Sequence, residues 1–314
     1  MTEAEFSHAP VMHEEVMRHL KVQPDGIYVD GTYGRGGHAK SILNQLGNNG
    51  RLIVMDRDPE AIAAARESIG EDSRVRIFHD DYANLSQTLA TVDLNQQVSG
   101  VLLDLGVSSP QLEDAARGFS FQENGPLDMR MNPMQGESAA VWLQHASQED
   151  ISRVLWEFGE ERYARRIARK IVEARKTQNI DDTATLSGLI SACVPAPRNK
   201  KHPATRSFQA IRIHINQELA QVSRLLDSIF DILKIGGRLL VISFHSLEDR
   251  LVKRFYRQHS TPAKIPRGMP VRDDELQSTI RLGLIGKAIR AGAEELSVNP
   301  RARSAVLRVA ERIS

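Results

Sequence analysis

Between residues 27 and 38 the chain runs from a short apolar stretch, Ile27-Tyr-Val-Asp30, through Gly31-Thr-Tyr-Gly34-Arg35-Gly36-Gly37, and on from His38 into a helical pattern. An apolar strand that turns on glycines into a helix opens an open, mostly parallel sheet, with ligands expected outside the carboxyl ends of its strands. The following residues keep that rhythm. His38 to Leu46 reads as a helix, residues 51–56 as a second strand, and Pro59 to Ile69 as a helix with proline in its first turn, where the missing N–H costs nothing. Residues 75–78 and the nearly all-apolar 98–105 read as a third and a central fourth strand.

The alternation then stops. Residues 113–207 hold no strand pattern, and residues 140–145, 149–158, 161–176 and 183–193 read as helices. A long helix from Phe208 to Leu233, a fifth strand from Arg238 to Phe244, a helix from Leu247 to Arg257 capped by Ser246, and a last strand from Ala305 to Ala310 restore the α/β pattern. The expected organisation is an α/β domain made of residues 1–112 and 208–314, interrupted by an all-helical insert, 113–207, that serves substrate recognition.

Composition narrows the class. Hydrophobic residues are 41% of the 314, enough for a full core. No apolar run approaches the ~18 residues of a membrane span, and the acidic start (Glu3, Glu5, Glu14, Glu15) is unlike a secretion signal. A cytoplasmic protein with no membrane partner is expected. Cys193 is the only cysteine, which excludes an internal disulfide and a cysteine zinc site, and no metal is expected. Charge is split: residues 1–150 carry 11 Lys/Arg against 23 Asp/Glu, residues 151–314 carry 30 against 17. The basic half suits a polyanion, with Arg198, Lys200, Lys201, His202 and Arg206 clustered in a proline-containing loop and Arg301 and Arg303 as further contacts. A homodimer is an admissible assembly.

The glycine turn and the residues around it point to an adenosine cofactor. Asp56 closes the second strand twenty residues after Gly36, where a carboxylate accepts ribose hydroxyls. Gly34-Arg35-Gly36 is a poor pyrophosphate cradle, with Asp30 directly ahead of it; an acidic residue there suits the ammonium of a methionine moiety. This favours S-adenosylmethionine over NAD. The stretch is not a P-loop, because Gly37-His38 stands where Lys-Ser is required, and Met17 stands where a His13-Glu14 zinc protease needs its second histidine.

Asp104-Leu-Gly-Val-Ser108-Ser109-Pro110-Gln111 follows the central strand. Methyltransferases of base amines usually carry Asp/Asn-Pro-Pro-aromatic at that point. An exocyclic amine is a poor nucleophile, so acceptors on its N–H groups and a ring stacked on the flipped base favour attack. Here Ser109 and Pro110 form a degenerate version, and Phe119, Phe121 or Tyr82 could supply the ring. No strong base is evident. His245, after the fifth strand, is the candidate for proton handling or base contact, and a structural histidine is the competing reading.

At these strings the chain resembles the bacterial 16S ribosomal RNA cytosine-N4 methyltransferase family (RsmH/MraW). The resemblance is carried by residues 30–38 and 104–111, Gly125-Pro-Leu-Asp-Met-Arg130, His202-Pro-Ala-Thr-Arg206, Ser243-Phe-His-Ser-Leu-Glu-Asp249 and Asn299-Pro-Arg-Ala-Arg-Ser304. It implies a class I methyltransferase fold, Rossmann-like with a mostly parallel seven-stranded sheet and a helical insert. It also implies a cytosine target in the decoding region of the small subunit. By resemblance the donor touches Gly36, Gly37, His38, Asp56, Asp104 and Gln111, with Tyr82 where the family often has Phe. The alternatives are an RNA-binding assembly factor with a methyltransferase fold, against which Asp30, Gly36, Asp56 and Asp104 all stand, and an NAD-linked oxidoreductase.

Overall fold

The computed structural model describes residues 10–195, 202–262 and 279–314. These divide into two compact units, one of residues 1–106 and 219–314, the other of residues 107–218. The helical unit thus begins ahead of residue 113 and ends beyond residue 207.

The first unit is built on seven strands: β1 (Ile27–Asp30), β2 (Arg51–Asp56), β3 (Val75–His79), β4 (Val98–Asp104), β5 (Leu233–Ser243), β6 (Leu282–Leu284) and β7 (Val306–Arg312). Their order in the sheet is β3-β2-β1-β4-β5-β7-β6. The first five are parallel, while β7 runs antiparallel to β5 and β6. The register sets Asp30 beside Val54 and Leu102, and Asp104 beside Ile242, so β2 and β4 each run two residues beyond the end of β1.

Side chains alternate between the two faces of each strand, and each face carries its own core. On one, Val29, Ile53, Val101, Leu103 and Val241 pack with residues of α4 (Leu85–Ala90), α11 (Glu218–Ile232) and α12 (Ser246–His259). On the other, Tyr28, Leu52, Val54, Leu102 and Leu240 meet α1 (His13–Leu20), α2 (Gly37–Leu43) and α3 (Pro59–Ile69). Burial on both faces explains why β4 reads as a continuous apolar run.

The second unit contains α5 (Ser109–Glu113), α6 (Ala139–His145), α7 (Gln148–Gly159), α8 (Ala164–Ala174), α9 (Thr183–Ser191) and α10 (Thr205–Ile215) around a core that includes Phe119, Trp142, Leu155, Ile171 and Ile211. A further helix, α13 (Ala293–Val298), belongs to the first unit. The stretch 125–131 is irregular but held closely. A Cβ on Gly125 would lie 1.9 Å from the Ala115 carbonyl oxygen, so only glycine fits there. Arg130 forks onto Asp128 at 2.8 and 2.7 Å. Asn216, 1% exposed, accepts from Met131 N at 2.8 Å and donates to Met129 O at 2.7 Å.

Several local expectations change. The long helix from Phe208 is two helices, α10 and α11, because Asn216 turns its side chain to the 129–131 backbone and Gln217 takes a left-handed φ of 51°. β5 begins at Leu233, ahead of the Gly236-Gly237 pair rather than after it. The helix after β5 is capped by His245, not Ser246. The short edge strand β6 and the helix α1 were not expected.

Candidate active site

The turn after β1 is fixed by its backbone. Gly36 has φ +77°, a left-handed conformation that suits glycine, and a Cβ there would lie 2.4 Å from the Tyr33 ring. Gly34 donates its N–H to Asp56 Oδ2 at 2.9 Å, and Asp58 N donates to Asp56 Oδ1 at 2.9 Å. Each Asp56 oxygen keeps a lone pair for a further donor. Thr32 joins β1 to β4: its N–H donates to Asp30 Oδ1 at 3.1 Å, and its Oγ1 accepts from Asp104 N at 2.7 Å.

Three carboxylates therefore close adjacent strands, Asp56 on β2, Asp30 on β1 and Asp104 on β4. Burial pushes the carboxyl of Asp30 up to about 7, that of Asp56 to about 6 and that of Asp104 to about 8, with Asp30, Glu248 and Glu295 adding like charge around Asp104. His38, 5% exposed at the start of α2, is pushed down to about 3 by burial and by His13. Its Nε2 lies 3.9 Å from Asp104 Oδ2, and with the imidazole neutral this is no ion pair. Asp104 Oδ1 is buried without a hydrogen-bond partner. This set fits S-adenosylmethionine: the glycine turn admits close backbone approach, Asp56 has acceptor capacity left, and the buried carboxyls at the end of the sheet, one Asp104 oxygen without a hydrogen-bond partner, favour a group that brings positive charge, as a sulfonium and an ammonium do.

A strap from the N-terminal side covers this turn, and sequence reasoning missed it. Met12, fully buried with a left-handed φ of 54°, donates its N–H to Glu295 Oε1 on α13 at 2.7 Å. Pro10 packs on Gly37, where a Cβ would lie 2.9 Å from its Cγ. The His13 ring stacks near His38 with centroids 6.2 Å apart, and its Nε2 bonds Ser41 Oγ at 2.7 Å. No local pattern announces contacts between residues 283 positions apart; the only hint was the buried-type spacing of Met12, Val16 and Leu20.

The remaining candidates are placed as follows. Arg35 is exposed, and Tyr82, 9% exposed, opens a short turn after β3 that Asp81 caps. Ser109, Pro110 and Gln111 form the first turn of α5 in the helical unit, where Gln111 Oε1 accepts from Ser108 N at 2.9 Å to complete a capping box. Phe119 is buried in that unit's core, and Phe121 packs edge-on to Phe208 at 4.8 Å and against His202 at 4.6 Å. Arg206 donates to Glu160 O at 3.2 Å. Lys200, Lys201 and Arg198 lie outside the described residues. Arg301 and Arg303 stand in the short helical turn Pro300–Ser304 before β7. His245 Nδ1 accepts from Glu248 N at 3.4 Å to cap α12, while its Nε2, 3.1 Å from Glu248 Oε1, is buried without a hydrogen-bond partner.

A sheet of this order, with a left-handed glycine turn after its first strand and carboxylates closing three neighbouring strands, defines a class I S-adenosylmethionine-dependent methyltransferase. The sequence pattern of the MraW methylase family matches residues 5–313, and the chain belongs to that family. It is 53% identical over 306 residues to the ribosomal RNA small subunit methyltransferase H of Idiomarina loihiensis, covering 98% of this chain and 97% of that protein. The protein of the same name from Thioalkalivibrio sulfidiphilus is 54% identical, with 98% of each chain covered, and that from Coxiella burnetii is 52% identical, with 98% and 99% covered. No helix among the described residues is long and apolar enough to cross a membrane.

Proposed function

We propose that this chain methylates the exocyclic N4 amine of a cytosine in 16S ribosomal RNA, in the decoding region of the small subunit, from S-adenosylmethionine. The observation that carries the reading is the end of β4. There a buried carboxylate oxygen of Asp104 has no partner, beside a glycine turn built for close approach, and the chain continues into Ser108-Ser109-Pro110-Gln111. The names of the relatives support RNA of the small subunit as the substrate.

In this reading Asp56 receives the ribose hydroxyls, Asp30 and Asp104 face the positive end of the cofactor, and the backbone of Gly34, Gly36 and Gly37 lines its path. His38 and Gln111 complete the contacts, and Tyr82 packs on the adenine. The bound cofactor supplies an activated methyl on a sulfonium, so alignment accounts for most of the rate. Ser109, with the carbonyl that precedes Pro110, accepts from the target amine and draws its lone pair out of the ring. As the N–C bond forms the methyl–sulfur bond would break, leaving S-adenosylhomocysteine, and the amine would give up one proton to water, with His245 as the candidate for proton handling or base contact. Lys200, Lys201, His202 and Arg206 hold the RNA backbone, with Arg301 and Arg303 as further contacts. The protein works in the cytoplasm, and a homodimer is consistent with the reading.

Mass spectrometry of ribosomal nucleosides from a strain lacking the protein tests this directly. Loss of one N4-methylated cytidine from 16S RNA, restored by the purified protein with S-adenosylmethionine, is the expected result. An unchanged nucleoside profile would refute it.

A further inference from the structure

On the α12 side of the sheet's antiparallel edge lies a cavity of about 280 Å³, formed by α12, β7 and the loop after β6. β7 stands three places from β1 in the sheet, about 14 Å at ordinary strand spacing, so the cavity is distinct from the glycine turn. Its floor is apolar. Tyr256 is 3% exposed and donates its hydroxyl to Leu239 O at 2.9 Å, which leaves its ring to line the space. Leu284, at the end of the edge strand, is 50% exposed beside it.

The rim is cationic. Lys253 and Arg257 are four residues apart and so share one face of α12. Lys287 faces them from a loop that turns at Gly286, φ +72°. All three are exposed and have no carboxylate partner among the described residues. Arg308 also lines the cavity, but its charge is answered by Asp249 at 2.7 and 3.1 Å. Among the described residues these three positive charges meet no carboxylate, and they stand over an apolar and aromatic floor. That combination suits an anion attached to a flat, weakly polar body, which describes a nucleotide: cations for the phosphate, apolar surface for sugar and base.

We infer that this cavity is a second RNA contact, in which Lys253, Arg257 and Lys287 hold a backbone phosphate and its nucleotide away from the target base. The inference rests on the RNA-methyltransferase reading above, and it gives the α/β unit its own share of substrate binding. A free mononucleotide offers the same chemistry, so the test separates the two sources.

The variant Lys253→Gln/Arg257→Gln/Lys287→Gln changes only exposed side chains. Its affinity for S-adenosylmethionine and for a 16S RNA fragment would be compared with wild type, the RNA across a salt series, with adenosine monophosphate and inorganic phosphate as competitors. Losing the grip on one phosphate of a single strand should flatten the slope of log K against log salt by about 0.7 and weaken RNA binding about fourfold at 0.15 M salt. Cofactor affinity should not move, and millimolar mononucleotide should not displace the RNA. RNA affinity and slope equal to wild type would overturn the inference, as would a variant that loses only mononucleotide binding. A wild-type protein that binds the cofactor but no ribosomal RNA would overturn the underlying reading, and this inference with it.

Discussion

Cofactor uptake should release about one proton near pH 7, and Asp104 should be its main source. In the free protein burial and neighbouring acidic groups hold the Asp104 carboxyl at about 8, so at pH 7 roughly nine molecules in ten carry it protonated. The cofactor's cationic end favours the ionised form. The sign follows: a raised carboxyl is neutral below its pKa, so binding must expel its proton there, and affinity rises with pH. Asp104 alone should change Kd roughly tenfold, or about 1.4 kcal/mol, for each pH unit below 8, and Asp30, held at about 7, steepens the dependence below pH 7. The window is best kept between pH 6 and 7.5, because the cofactor's own α-amino group titrates at roughly 7.7–8.0. Calorimetry at pH 7 in two buffers of different ionisation enthalpy reads the proton count directly. Asp104→Asn should lower the count by about one and flatten the pH dependence. Heats that do not vary with buffer, or a variant that releases as many protons as wild type, would refute the assignment.

Because Asp30, Asp56 and Asp104 all have folded pKa values above those of the unfolded chain, their contribution to stability is present below about pH 4 and is lost as pH rises to about 8; Tm of the cofactor-free protein should fall from pH 6 to pH 8.5, and saturating cofactor should reverse the fall in differential scanning calorimetry. Asp56→Ala should weaken S-adenosylmethionine by about 1–3 kcal/mol, read as Kd, since it removes hydrogen bonds to a charged acceptor. Ser109→Ala should lower kcat in a methyl-transfer assay with cofactor affinity nearly constant; loss of cofactor binding with unchanged turnover would reverse the roles. Asn216→Ala leaves the 129–131 backbone without its buried partner and should cost about 1–3 kcal/mol in urea unfolding.

The parts of this molecule that were legible in the sequence are those written in short range. Residues 27–38 hold an apolar strand, an acidic end and glycines in order, so β1, its turn and α2 could be read directly. The same is true of α3, whose bounds match because Pro59 and the Asp58 cap mark its start. Features decided by distant neighbours were not legible. The break between α10 and α11 has neither glycine nor proline; it exists because Asn216 finds backbone partners 85 and 87 positions away. β6 is three residues with one glycine and a single buried side chain, too little for a strand pattern. His245 was legible as a candidate because it follows a strand end, whereas its capping role was not. Its reciprocal bonds with Glu248 depend on a turn that the bare string Ser243-Phe-His-Ser does not specify.

The strap ties the glycine turn to the timing of synthesis. Pro10, Met12 and His13 leave the ribosome first, yet the carboxylate that pins Met12 belongs to Glu295. At about 5–20 residues per second, some 15–60 s separate the emergence of the two partners. Through that interval the turn after β1 exists without its cover, and the sheet lacks β7, which must pair antiparallel beside β5. The cover of this turn waits on Glu295, and a fragment truncated ahead of it would leave Met12 without that anchor.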